Sequence, residues 1–177
     1  MEIRPIYKKD LNNYRHLMIP YIYDEFKGNG DETDLGFWGF SLVFDEGDPD
    51  YEKAIDAGGD VAAASVLVVQ PEEDGDLNIV SIFTYPLFRR RGYATMLLQT
   101  VPGVARASFK WQEGETEDTI YYKTLYRLPE DIRTVYESFL IKNMFSDFFL
   151  VDEEKEVWSA SAMISMVRED GRNACIS

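Results

Sequence analysis

Leu77-Asn78-Ile79-Val80-Ser81-Ile82-Phe83-Thr84-Tyr85-Pro86-Leu87-Phe88-Arg89-Arg90-Arg91-Gly92-Tyr93-Ala94-Thr95 is the stretch on which the fold turns. Leu77–Thr84 is a continuous β-favouring run and predicts a buried strand, stopped by Tyr85-Pro86. Over residues 91–101, Ala94, Leu97, Leu98 and Val101 share one helical face, so a helix follows at once. A helix N-terminus leaves about four backbone N–H groups unpaired and carries roughly half a positive charge. A strand feeding straight into it aims those donors at one spot, which favours a phosphate or diphosphate. Gly92 removes the Cβ that would block close approach, and Ala94 keeps the first turn small. Thr95 offers a hydroxyl, and the arginines offer bidentate pairing to an anion.

The charge distribution agrees. The chain has 177 residues and a net charge of -14, from 18 basic and 32 acidic side chains. Residues 1–76 hold 6 basic and 18 acidic side chains, and residues 113–177 hold 7 and 14. Residues 77–112 hold Arg89, Arg90, Arg91, Arg106, Lys110 and no acid. Burial of a strand and a helix explains the missing carboxylates, but it does not explain three consecutive arginines. The acidic remainder argues against nucleic acid and anionic membranes and favours encounter with cationic molecules. One Cys, Cys175, excludes an internal disulfide and points to a reducing, cytoplasmic compartment. One His and one Cys cannot build a His/Cys zinc cluster, so no metal is expected. No signal peptide is seen at the start, and no apolar run reaches the ~18 residues a membrane span needs.

Outward from the central stretch, Met1–Ile6 predicts an edge or early strand containing Pro5. Asp10 is a fitting N-cap for a helix to about Phe26, carrying Leu11, Tyr14, Met18, Tyr21 and Ile22, with a kink at Pro20. Phe37–Phe44 and Val61–Val69 predict strands around an acidic connection with one helical turn near Tyr51–Ala57. After the central helix, Pro102-Gly103 predicts termination, then a strand over Ala105–Trp111. Residues 113–128 fit a strand or a helix. Pro129 opens a helix to about Phe145 with Val135, Phe139 and Met144 apolar. Phe148–Val151 and Val157–Val167 predict a closing hairpin. The result is one α/β domain over 1–177 with a mixed sheet and a frayed tail at 169–177.

The central residues also carry a family resemblance. Arg89-x-x-Gly92-x-Ala94 resembles the Q/R-x-x-G-x-G/A signature of the GNAT superfamily of N-acetyltransferases. The wider frame Pro86-x-Phe88-Arg89-Arg90-Arg91-Gly92-Tyr93-Ala94 is similar to that family's P-x-Y-R-G-K-G-I-G run. The resemblance covers residues 77–101 by motif and most of the chain by element order. It implies a three-layer fold with a mostly antiparallel sheet of six to seven strands and about four helices. It implies acetyl-CoA as acyl donor, with its diphosphate on the turn Arg89, Arg90, Arg91, Gly92, Tyr93, Ala94 and Thr95. The pantetheine arm would pair with the backbone of Ile82, Phe83 and Thr84, as an added strand would. The implied reaction is direct attack by a primary amine of a small molecule or peptide, without a covalent enzyme intermediate.

Some positions depart from the family pattern. Aligning Phe145 with the Phe of the family's Gly-Phe pair puts Leu140 where the family often carries its acidic Tyr. Tyr136, one turn earlier and followed by Glu137, is the candidate general acid, and a packed helix Tyr is the competing reading. Leu77–Thr84 holds no carboxylate, so a base must come from elsewhere. Glu25, Glu46 and Glu113 are available, and each also reads as a solvated surface group. Tyr21, Tyr23, Phe26, Phe37, Trp38 and Phe40 lie where the family builds its acceptor pocket, beside Asp24 and Glu25. Most of them read first as core and loop packing, and His16 reads as a surface or satisfied histidine. Two functions remain: an active N-acetyltransferase, and a catalytically inactive module that binds acyl-CoA or a partner. A homodimer through the edge near 157–167 is compatible with either.

Overall fold

A computed structural model describes residues 1–28, 36–72, 75–108 and 119–165. The chain runs through β1 (Glu2–Ile6), a 3-10 helix (Lys8–Leu17), α1 (Pro20–Gly28), β2 (Trp38–Val43), α2 (Tyr51–Asp56), β3 (Ala63–Pro71) and β4 (Leu77–Thr84). It continues through a 3-10 turn (Pro86–Phe88), α3 (Tyr93–Ser108), β5 (Thr119–Tyr126), α4 (Glu130–Lys142), β6 (Ser146–Asp152) and β7 (Val157–Ser165). Backbone pairing orders the strands β1-β2-β3-β4-β5-β7-β6 in one open seven-stranded sheet. β1 with β2, β2 with β3, β5 with β7 and β6 with β7 run antiparallel, and β4 with β5 runs parallel. The mixed, mostly antiparallel sheet expected from sequence is therefore present. Among the described residues, no helix is long and apolar enough to cross a membrane.

Two compact units make up the chain. The first is Met1–Pro71 with Val80–Trp111, and the second is Glu72–Ile79 with Gln112–Ser177. In the first unit, β3 is buried almost throughout, as its unbroken apolar run requires. Residues of β1, β2, β3, α1 and the first 3-10 helix share one core cluster, including Ile6, Leu17, Ile22, Phe26, Val43 and Val66. In the second unit, Tyr122, Thr124 and Tyr126 are buried at alternate positions of β5, while Tyr121 and Leu125 are exposed. That is the period-two pattern of a strand with one covered face.

Several expectations change. The helix from Asp10 to Phe26 is two elements. Asp10 sits inside the 3-10 helix, whose N-cap is Tyr7, and α1 begins at Pro20. The reason is spacing: Leu11, Tyr14 and Leu17 recur every third residue and are all buried, which matches the three residues per turn of a 3-10 helix. Pro20 then takes the first helical position, where its missing N–H costs nothing. Tyr21, expected on the apolar face, is 67% exposed.

Pro102 lies inside α3 rather than ending it. Leu97, Leu98 and Val101 are buried, and Pro102 is buried with them. That tertiary burial offsets the cost of about 3 kcal/mol that an interior proline carries. The strand expected over Ala105–Trp111 is thus helical to Ser108, and its remainder lies outside the described residues. β3 is displaced to Ala63–Pro71 from the expected start at Val61. Residues 119–126 of the undecided segment are strand. On α4, Val135 is 71% exposed and Met144 beyond it is also exposed, so the buried positions are Leu140 and, after the helix, Phe145. The tail at 169–177 lies outside the described residues.

Candidate active site

Strand β4 delivers the chain to the arginine turn. The buried Ser65 hydroxyl of β3 donates to the Phe83 carbonyl at 2.9 Å and contacts the Thr84 hydroxyl at 2.8 Å. Tyr85 N–H donates to the Ala64 carbonyl at 2.9 Å. Alternate residues of a strand turn their peptide groups to opposite sides. Phe83 and Tyr85 therefore face β3, and the backbone groups of Ile82 and Thr84 point away from it. Of the three strand residues singled out from sequence, Ile82 and Thr84 keep backbone that β3 does not use.

The turn itself is anchored by aromatics. Phe88 is fully buried, with Phe44 at 5.3 Å and Tyr85 at 6.1 Å between ring centroids. Phe44 also meets Tyr93 at 5.6 Å, which ties the end of β2 to the start of α3. Phe88 N–H donates to the Tyr85 carbonyl at 2.8 Å and closes the 3-10 turn. Arg90 then takes φ 63° and Gly92 φ 83°. Left-handed residues placed this close together tilt successive N–H groups toward one concavity. Arg90 holds this conformation at a cost of about 1–2 kcal/mol for a residue with a Cβ.

Gly92 is the last residue before α3, and its carbonyl accepts from Met96 N–H at 2.9 Å. The N–H groups of Tyr93, Ala94 and Thr95 in the first turn therefore have no intrahelical acceptor. Among the described residues, a Cβ built on Gly92 would meet nothing within 4 Å beyond its own chain neighbours. Donors at a helix start without intrahelical acceptors suit an anion such as a diphosphate.

The three arginines differ. Arg89 Nε donates to the Thr84 carbonyl at 3.1 Å, and its guanidinium lies 5.5 Å from the Phe83 ring centroid. Arg91 pairs with the carboxylate of Asp50, at the N-terminus of α2, and lies 5.7 Å from the Phe88 ring centroid. Nothing in the local sequence announces Asp50 as a partner, because 41 residues separate it from Arg91.

In the second unit, the Tyr136 hydroxyl sits 3.1 Å from Thr124 Oγ1. Thr124 stands opposite Ile79 in the parallel register of β4 with β5. The Tyr136 ring meets Tyr126 edge-on at 5.1 Å, and the Tyr126 hydroxyl donates to Glu137 Oε1 at 2.8 Å. Burial raises the Tyr136 pKa above its usual value, against the Thr124 hydrogen bond. Leu140 is fully buried and carries no chemistry. Met144 adopts φ 66°, the left-handed position after the helix that suits the Gly of a Gly-Phe pair. The Tyr-Glu dipeptide at 136–137 was visible in sequence, whereas Thr124 and Tyr126 were hidden in a segment without a clear period.

The remaining candidates divide. Tyr23 and Phe26 belong to the core cluster and Phe40 is fully buried, so these three are packing residues. Tyr23 O–H donates to Asn12, and Phe37 packs against Phe26 at 6.4 Å. Trp38 opens β2 and is half-buried. Asp24, Glu25 and Glu46 are exposed, while Glu113 and Cys175 lie outside the described residues. His16 is half-buried, 6.2 Å from the Tyr85 ring, with a buried Nε2 that has no hydrogen-bond partner among the described residues. Burial lowers its pKa. Gly59 is required beside it, since a Cβ there would come within 2.7 Å of His16 Cε1. Among the described residues, no group of three or more His, Cys, Asp or Glu could hold a metal ion.

The chain has the fold of the GNAT acetyltransferases. A GNAT-family acetyltransferase from Bacillus cereus ATCC 10987 matches with a TM-score of 0.55 at 16% identity, covering 94% of this chain and 98% of that one. The ribosomal-protein-S18-alanine N-acetyltransferase from Escherichia coli matches with a TM-score of 0.51 at 16% identity, covering 97% and 99%. An aminoglycoside N-acetyltransferase solved in complex with CoA matches with a TM-score of 0.50 at 16% identity, covering 82% and 92%. No protein-family model matches the sequence, and no curated protein does.

Proposed function

We propose that this protein is an N-acetyltransferase that moves an acetyl or related acyl group from acyl-CoA to a primary amine of a small molecule or peptide. The observation that carries the reading is the turn at 89–95. Left-handed Arg90 and Gly92 lead into a helix start whose N–H groups lack intrahelical acceptors, with open space in front of Gly92 among the described residues. The similar fold of an enzyme solved with CoA supports the same ligand. That enzyme acts on aminoglycosides and the S18 enzyme on an alanine amine, which supports an amine acceptor.

Acyl-CoA supplies a thioester carbonyl that an amine attacks directly. The residues of this chain do the rest. Backbone N–H groups of Gly92, Tyr93, Ala94 and Thr95 hold the diphosphate, with Arg89, Arg90 and Arg91 adding charge. Backbone groups of Ile82 and the N–H of Thr84, whose carbonyl already accepts from Arg89, hold the pantetheine arm in strand-like pairing. An N–H in that row can donate to the carbonyl oxygen as it gains charge. Tyr136, a phenol and so protonated at neutral pH, holds the proton that the departing sulfur needs. Thr124 orients it. The acidic surface favours encounter with a cationic amine.

One observation favours a binding module without turnover: β4 holds no carboxylate, and Glu25 and Glu46 are both exposed. Two measurements decide between the readings. Acetyl-CoA should raise the melting temperature, and no shift at millimolar ligand removes both. A thiol-release screen with polyamines, amino acids, aminoglycosides and peptides should then find an acceptor. A thermal shift with no turnover on any of these classes favours the module.

A further inference from the structure

We propose that Asp50 is a built-in counter-anion for the arginine turn. It pairs with Arg91 while the site is free and yields that arginine to the diphosphate of the incoming acyl-CoA. This rests on the acyl-CoA reading above and adds a residue that sets the affinity of the site.

Three observations carry it. First, the pair is asymmetric: the Asp50 side chain is 15% exposed and the Arg91 side chain 41%. The carboxylate is tucked against the protein, and the guanidinium, which also meets the Phe88 ring and the Tyr93 hydroxyl, is the more exposed partner. Second, Asp50 has another cation, Lys53 Nζ at 2.8 Å. When Arg91 leaves, the carboxylate keeps a charged partner, so the exchange strands no ion. Third, Arg89 is engaged with the Thr84 carbonyl and the Phe83 ring, which leaves Arg91 as the turn arginine whose partner is itself an anion. A diphosphate brings two charges where Asp50 brings one, and it also meets the unpaired N–H groups of α3. It therefore outcompetes the carboxylate, but the affinity it gains is reduced by the pair it breaks. The acidic connection that carries Asp50 at the start of α2 thus acts on the phosphate turn directly.

Calorimetric titration with CoA, and separately with inorganic pyrophosphate, tests this on the wild type, Asp50→Asn, Arg91→Gln and the double variant. Asparagine keeps the shape of Asp50 and removes its charge. Asp50→Asn should tighten both ligands by about two- to fivefold, the range for a largely solvated ion pair. Arg91→Gln should weaken both, and Asp50→Asn should add nothing in the Arg91→Gln background. Weaker or unchanged binding by Asp50→Asn overturns the proposal, because Asp50 would then merely position Arg91 or have no bearing on it. Tightening that persists without Arg91 also overturns it in favour of plain repulsion at a distance. A wild type that binds no CoA removes the acyl-CoA reading itself, an outcome distinct from the other two.

Discussion

Replacing Gly92 with glutamate tests the phosphate turn where it is most exposed to refutation. Gly92 has φ 83°, and a Cβ built there meets none of the described residues within 4 Å beyond its chain neighbours. A Cβ at this position meets no steric block, so apart from backbone strain the effect of the substitution falls on the ligand. If the wild type binds acetyl-CoA as proposed, the ligand at about 100 times its Kd adds roughly 2.7 kcal/mol of stability. A chain of this length gains about 2–4 °C per kcal/mol, so the melting temperature should rise by about 5–11 °C. The carboxylate introduced by Gly92→Glu would stand within a few ångströms of two diphosphate charges. Each pair at about 4 Å costs roughly 1 kcal/mol in water and 4 kcal/mol at an effective dielectric of 20. A total near 3 kcal/mol lowers affinity more than about a hundredfold, and the same ligand concentration then adds only about 0.3 kcal/mol, or about 1 °C. The variant also carries strain of about 1–2 kcal/mol from its left-handed backbone, which lowers the ligand-free melting temperature. Gly92→Ala carries that strain without the charge and should keep part of the ligand shift. The assay is thermal unfolding of all three proteins with and without acetyl-CoA. If Gly92→Glu keeps a shift equal to the wild type, the diphosphate does not bind at this turn.

Tyr136→Phe should lower turnover by about 10²–10⁴-fold while leaving the acetyl-CoA thermal shift unchanged, since the phenol proton is needed only in the chemical step. It also strands the buried Thr124 hydroxyl at a cost of about 1 kcal/mol, which Thr124→Val in the same background should recover; unaffected turnover would remove Tyr136 from the reaction. His16, whose pKa is lowered by burial, is favoured neutral in the fold, so the unfolded chain binds the proton first. Its stability contribution is complete above about pH 6.5 and is lost as pH falls below that value. His16→Gln should therefore lose less melting temperature than the wild type between pH 7 and pH 5, and equal losses would exclude this role. With a cationic acceptor, apparent KM should rise with salt as the acidic surface is screened, and a salt-independent KM would count against steering.

The legible part of the fold was the part encoded by neighbouring residues. β4, its stop at Tyr85-Pro86 and, within two residues, the start of the helix after Gly92 stand where the local pattern put them. So does the start of α4 beside Pro129. Each depends on backbone rules that act within a few residues: the fixed φ of proline, the permissive φ of glycine, and the period of apolar side chains. The 3-10 helix at Lys8–Leu17 was also written locally, in the three-residue spacing of Leu11, Tyr14 and Leu17. A four-residue period fits Tyr14, Met18 and Ile22 as well, so the pattern alone was ambiguous.

What remained hidden depends on residues far apart. Pro102 reads as a helix stop because proline lacks an N–H. It is overruled because Leu97, Leu98 and Val101 are buried around it, and their burial favours an unbroken α3. Arg91 and Asp50 are 41 positions apart and Thr124 and Tyr136 are 12 apart, and no local period links either pair. By itself the sequence determined the strand, the turn and the helix proposed here as an anion site, because conformational preference is local. The tertiary structure decided which arginine is already paired and which hydroxyl holds Tyr136, because hydrogen bonds and ion pairs form between groups that only the folded chain brings within about 3 Å.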